Sequence, residues 1–161
     1  MELMMIDIVD PVRCEIEVPI SISEAFKLFT EGFNSWWPSD YTWSQESLES
    51  ISLASCENGR CTEVGPNGFQ VDWGRVLKCH PSEKIIFTWQ ISPNREPQPN
   101  PQKASVVEVN FTMINLKTTI VSLVHSGFEK HGEGALAYRE SLNSDYGWPF
   151  ILNKYLEVAK A

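Results

Sequence analysis

The chain has 161 residues, 42% of them hydrophobic and 21% charged, with a net charge of −8. That is enough chain for a single domain over residues 1–161 with a sizeable core, and it is too apolar for a disordered segment. The acidity, with Lys and Arg scattered, argues against nucleic acid or an anionic lipid surface as partner, and no apolar run approaches the roughly 20 residues that span a bilayer.

In chain order, Met1 to Ile8 lack the basic start and small-residue cleavage site of a signal peptide, so a cytoplasmic location is expected. Val12 to Val18 alternates Val12, Cys14, Ile16 and Val18 with Arg13, Glu15 and Glu17, the pattern of a half-buried strand. Pro19 ends it. Ser23 reads as the N-cap of a short helix whose apolar side is Ala25, Phe26, Leu28 and Phe29. A second brief helix is expected from about Glu31 towards Trp36, stopping before Pro38.

From there the pattern becomes strands and turns. Ser47 to Ser55 is a weak strand, Asn58-Gly59 a hairpin signal, and Arg60 to Val64 the returning strand. Gly65-Pro-Asn-Gly68 turns into Phe69 to Leu77, His80-Pro81 turns again, and Ile85 to Ile91 is a strong strand. Ser92 to Lys103, with Pro93, Pro97, Pro99 and Pro101, reads as a polar loop within the sheet. Val107, Val109, Phe111 and Met113 alternate with polar residues, and Thr118 to His125 completes an antiparallel meander. A Gly/Glu-rich passage then leads to Trp148, Ile151, Leu152, Tyr155, Leu156 and Ala159, one face of a closing helix.

These passages carry a family resemblance. Glu24-Ala-Phe-Lys-Leu-Phe-Thr30, Trp36-Trp37-Pro38, Gly59-Arg60, Gly74-Arg-Val-Leu77 with Pro81, Ile85-Ile-Phe-Thr-Trp89, Thr119 to Phe128, and Gly147-Trp148-Pro149 with Ile151-Leu152 occur in order over nearly the whole chain. The ordered set resembles stand-alone members of the family named after the activator of the heat-shock-protein-ninety ATPase, in the START-like (SRPBCC), helix-grip superfamily. The resemblance implies an α+β fold: a strand, two short helices, six further antiparallel strands, and a long C-terminal helix gripped by the curved sheet over an internal cavity. It also implies a small hydrophobic ligand as partner, with a chaperone partner as the alternative that the family name suggests. Asn58-Gly59 stands where the family usually has two glycines, and the 92–103 loop is longer.

The residues set out a candidate site within that frame. Six tryptophans are many for this length; as core they would each bury about 150–250 Å², and as pocket lining they would favour an aromatic ligand. The ligand-facing set expected is Trp37, Arg60, Trp73, Phe87, Trp89, Phe111, Leu123, His125, Trp148, Ile151, Leu152 and Tyr155. Trp36 and Trp37 cannot easily both point inward from one short helix. His125 shares a strand face with Thr119, Val121 and Leu123 and is the expected polar anchor, or else a hydrogen-bonded core residue. Arg60 and Glu63 fall on opposite faces of one strand, and parity alone does not say which is interior; an inward Arg60 would suit a carboxylate. His131 reads as surface.

No nucleophile arrangement or phosphate loop is present, and no catalytic residue is expected. Ser126 follows His125 directly and so faces the opposite way. Cys14, Cys56, Cys61 and Cys79 are expected as free thiols. Cys56, Cys61, Cys79 and His80 lack the paired spacing of a zinc knuckle, so neither metal nor cofactor is expected. The leading reading is a non-catalytic cavity for a hydrophobic or aromatic molecule, in a monomer or homodimer. An enzyme on an apolar or aromatic substrate and a co-chaperone-like interaction module are the alternatives.

Overall fold

Period-two alternation becomes seven strands in the computed structural model, which describes residues 8–161; the amino-terminal stretch read for a signal sequence therefore lies, except for Ile8, outside the described residues. The strands are β1 (Val12–Val18), β2 (Ser50–Ser52), β3 (Arg60–Val64), β4 (Gln70–His80), β5 (Lys84–Trp89), β6 (Ser105–Asn115) and β7 (Thr118–Ser126). They form one antiparallel sheet in the order β1-β7-β6-β5-β4-β3-β2. Only β1 leaves sequence order: its backbone pairs with the last strand, β7, and it also touches the C-terminal helix.

The helices are α1 (Ile22–Phe29), α2 (Phe33–Trp36), α3 (Ala135–Asn143) and α4 (Trp148–Lys160). Ser21, not Ser23, caps α1. Its hydroxyl accepts from the Glu24 backbone N–H at 3.2 Å and donates to the Glu24 carboxylate at 2.9 Å, satisfying one free donor of the helix start. Pro149 opens α4, where a missing N–H costs nothing. Trp148, Ile151, Leu152, Tyr155 and Ala159 turn inward, and the Tyr155 hydroxyl donates to the Ala25 carbonyl at 2.7 Å, tying α4 to α1. The curved sheet thus grips α4, an α+β architecture.

Two expectations change here. The passage between β7 and α4 contains α3, whose Ala135, Tyr138 and Leu142 are buried at helical spacing. Trp36 and Trp37 are both buried. The reason is local: α2 ends at Trp36, and Trp37 is already extended at φ −63°, ψ 128°. The 100° turn per residue that would separate their side chains is interrupted between them.

Candidate functional site

Most of the space expected as cavity beneath α4 is filled by side chains. Phe87, Phe111, Leu123, Trp148, Leu152 and Tyr155 are buried members of one continuous core. Phe111 meets Phe26 and Phe29 edge-on at 5.2 and 5.9 Å, and Tyr155 meets Phe29 and Trp36 at 5.4 and 5.1 Å. These positions are occupied by packed side chains, and none of the six lines the cleft described below.

His125 shows how that region is sealed. It is 0% exposed, and both its ring nitrogens are engaged. The Trp148 indole N–H donates to Nδ1 at 3.0 Å. An indole can only donate, so Nδ1 accepts and the neutral ring carries its proton on Nε2. That nitrogen lies 2.7 Å from Ser105 Oγ, which is also 2.7 Å from His131 Nε2. Burial, reinforced by His131, holds the His125 pKa well below its ordinary value, and burial alone lowers His131 to about 4. The expectation of His125 as a ligand anchor is corrected by these surroundings, as is that of His131 as a surface residue. Indole and imidazole complete each other's hydrogen bonding within the core.

An open space lies to one side, where β4 and β5 approach α3. A cleft of about 480 Å³ is bounded by the 40–45 segment, the ends of β4 and β5, Arg95 from the 92–103 loop, and Tyr138 and Ser141 of α3. Four residues of the expected set meet there: Trp37, Trp73, Trp89 and Ile151. Trp37 lies nearly parallel to Trp73, at 6.2 Å and 17°, and Trp89 stands at 68° to Trp73 at 6.1 Å. Trp73 is brought there by β4, beside Gly74, where an added Cβ would collide with the Thr88 carbonyl oxygen. That glycine lets β4 and β5 approach closely. The volume falls within the range of about 300–1,000 Å³ typical of small-molecule sites.

Arg60 is corrected too. Its side chain is 70% exposed, 3.8 Å from Asp72, while the interior parity belongs to Cys61 and Glu63. Burial pushes the Cys61 thiol up to about 12, which keeps it an inert thiol. Glu63 is buried against the cleft and accepts from the backbone N–H groups of Trp43 and Ser44 and from the Ser44 hydroxyl, at 2.7–3.0 Å. Those three bonds hold the 42–44 segment over the sheet. Most of the remaining lining was not among the residues expected from the sequence, Glu63, Arg95 and Tyr138 among them. Strand parity allowed Glu63. The spacing of Ala135, Tyr138 and Leu142 was the signal that could have revealed α3, whereas Arg95 sits on a loop with no period.

The polar groups of the wall largely satisfy one another. The Tyr138 hydroxyl accepts from Trp89 Nε1 at 2.7 Å and donates to the Ile91 carbonyl at 2.9 Å. Trp43 Nε1 donates to the Arg95 carbonyl at 2.6 Å, pinning the loop. Arg95 lays its guanidinium 4.5 Å from the Tyr138 ring centroid and donates to Ser141 Oγ at 3.2 Å. Among the described residues no group of three or more His, Cys, Asp or Glu is arranged to hold a metal ion, and no helix is long and apolar enough to cross a membrane. The cleft offers an aromatic surface, buried polar groups and a cation at its mouth.

Comparison with known proteins agrees with this architecture. An anthrahydroquino-γ-pyrone synthase, Txn09, is 26% identical, with a TM-score of 0.67 over 94% of this chain and 97% of that one. CalC from Micromonospora echinospora, a self-sacrificing resistance protein, is 24% identical, with a TM-score of 0.64 over 94% of each chain. The Aha1 dimer from Colwellia psychrerythraea is 16% identical, with a TM-score of 0.59 over 94% of this chain and 98% of that one. The last two likenesses speak to the fold alone. No curated protein sequence gives a significant match. Residues 19–154 match the family described as activator of Hsp90 ATPase homolog 1-like protein, a span from just before α1 into α4. By that match, and by its sheet gripping a C-terminal helix, the chain belongs to the activator of Hsp90 ATPase homolog 1-like family.

Proposed function

We propose that this protein binds a small apolar or aromatic molecule in the cleft between β4, β5 and α3, without transforming it. The observation that carries the reading is the arrangement of Trp37, Trp73 and Trp89 around an unfilled volume of about 480 Å³. These three rings pack on neighbouring aromatics, Phe33 stacking on both Trp37 and Trp73, and they also border the open volume. Large aromatic faces without a filling side chain favour a flat apolar guest, which recovers the contact that the void forfeits. A ligand should alter the tryptophan fluorescence and raise the melting temperature by mass action. A screen of fatty acids, flavonoids and aromatic acids that gave neither effect would remove the reading's support.

The enzyme reading is favoured by one observation, that the 26% identical relative is a synthase. With His125 sealed in the core, its acid–base group here would be Glu63, the carboxylate buried against the cleft. Its three hydrogen bonds hold it as a structural acceptor, so binding remains the preferred function. Mass spectrometry of each bound compound after incubation separates the two: recovery unchanged supports binding, and a product lost in Glu63→Gln supports catalysis. The chaperone-partner reading would draw on an exposed Trp36 or Trp37, and both rings are buried.

A further inference from the structure

Arg95 is the one cation among the residues that line the cleft. Its backbone is fixed from two sides. Within the turn at 92–96 its N–H donates to the Ser92 carbonyl at 2.8 Å, with Arg95 at a left-handed φ of 63°, and its own carbonyl accepts from Trp43 Nε1 at 2.6 Å. The guanidinium then rests on two other lining residues, 4.5 Å from the Tyr138 ring centroid and 3.2 Å from Ser141 Oγ. Those contacts put the charged end of the side chain, and not only its backbone, at the cleft. Arg95 is exposed, so solvent and guest can both reach it.

Its charge has no partner within the described residues. Arg60 lies 3.8 Å from Asp72 and Arg139 lies 3.1 Å from Glu140, but no described carboxylate comes within ion-pair distance of Arg95. Two carboxylates share the lining, and neither answers it. Glu63 accepts three bonds from Trp43 and Ser44, and Asp40 is exposed and so well hydrated. One of the five guanidinium N–H donors is used on Ser141. The others are enough for the two oxygens of a carboxylate, which a planar guanidinium binds as a matched fork.

We infer that Arg95 is the specificity-determining residue of the cleft mouth, and that it selects aromatic acids: an apolar ring body in the cleft, with a carboxylate held at the rim by the guanidinium. The role that the sequence offered to Arg60 passes to a residue of the 92–103 loop. The inference rests on the reading of the cleft as a binding site and adds which end of the ligand is charged.

The test compares three 9-fluorenones that differ only at position 2, a carboxylate, a carboxamide and an aminomethyl group, by fluorescence titration at neutral pH of the whole protein and of Arg95→Gln. The native protein should bind the carboxylate about threefold more tightly than the carboxamide, the size of an exposed charge pair, and the ammonium more weakly than either. Arg95→Gln should bind carboxylate and carboxamide equally. Salt gives the same answer without a variant: in the native protein, added sodium chloride should shrink the carboxylate preference, because a pair at the rim is screened. Equal binding of carboxylate and carboxamide by the native protein would overturn the inference and leave the binding reading standing. So would tighter binding of the ammonium, or a carboxylate preference that survives Arg95→Gln or is unmoved by salt. Failure of all three compounds to bind the native protein would overturn both.

Discussion

Two aromatic regions lie side by side in this molecule and share Trp89, yet they differ in one respect. Around His125, Trp148 and Phe128 the rings are packed at 4.2–5.8 Å and the indole and imidazole partner each other. Around Trp37 and Trp73 the rings are as buried, but they border open volume and one indole N–H is unmatched. Aromatic content does not distinguish core from cleft. The open volume does, because hydrogen-bond closure is incomplete on both sides: beside the packed region the Nδ1 of His131 is buried without a partner, as the Trp73 N–H is beside the cleft.

The comparison can be broken most forcefully at Trp148. Trp148→Ala removes a ring packed on Trp37, Trp89 and His125 and should cost about 3–5 kcal/mol in urea unfolding. A loss below about 1 kcal/mol would mean that this region is not the sealed one. His125→Phe strands the Trp148 N–H and the Ser105 hydroxyl and should cost about 1–3 kcal/mol. Its affinity for 9-fluorenone, once folded, should stay within about twofold of native. Impaired binding would place His125 in the site after all.

Acidity probes the same region. The unfolded histidines take up protons near pH 6.5, whereas burial delays protonation of His131 in the fold to about 4 and depresses His125 as well. Between those values the unfolded chain binds more protons than the folded one, so stability is complete above about pH 6.5 and declines as the pH falls towards about 4. Urea midpoints at a series of pH values should show this slope, and His131→Gln should flatten it. A slope unchanged in that variant would assign the acid sensitivity to other groups.

Smaller effects belong to the rim. Arg95→Ala should weaken 9-fluorenone-2-carboxylate roughly threefold, the size of an exposed ion pair, and leave the melting temperature unmoved. Arg60→Ala, on the far side of its strand, should change neither binding nor stability by more than about 0.5 kcal/mol. A clear loss of affinity there would return Arg60 to the site and move the cleft.

Alternation and turn residues were sufficient to locate all seven strands, since a strand with one buried face must repeat at two residues. The face of α4 was likewise readable from Trp148 to Ala159, and the four residues Trp37, Trp73, Trp89 and Ile151 were among those expected to face a ligand. Glycines and polar residues around α3 obscured its short apolar face, and capping chemistry placed α1 two residues earlier than Ser23 suggested.

The sequence alone determined which side chains share a face, because facing follows local periodicity; at β3 it left open which face turns inward. It could not say where the interior would be full. That depended on Trp37 leaving the helix of Trp36, on β3 presenting Glu63 and not Arg60, and on α3 and the 92–103 loop standing off from Trp73. Whether inward-facing rings meet each other or leave a cleft is set by distances between elements remote in the chain, and no local pattern encodes those distances.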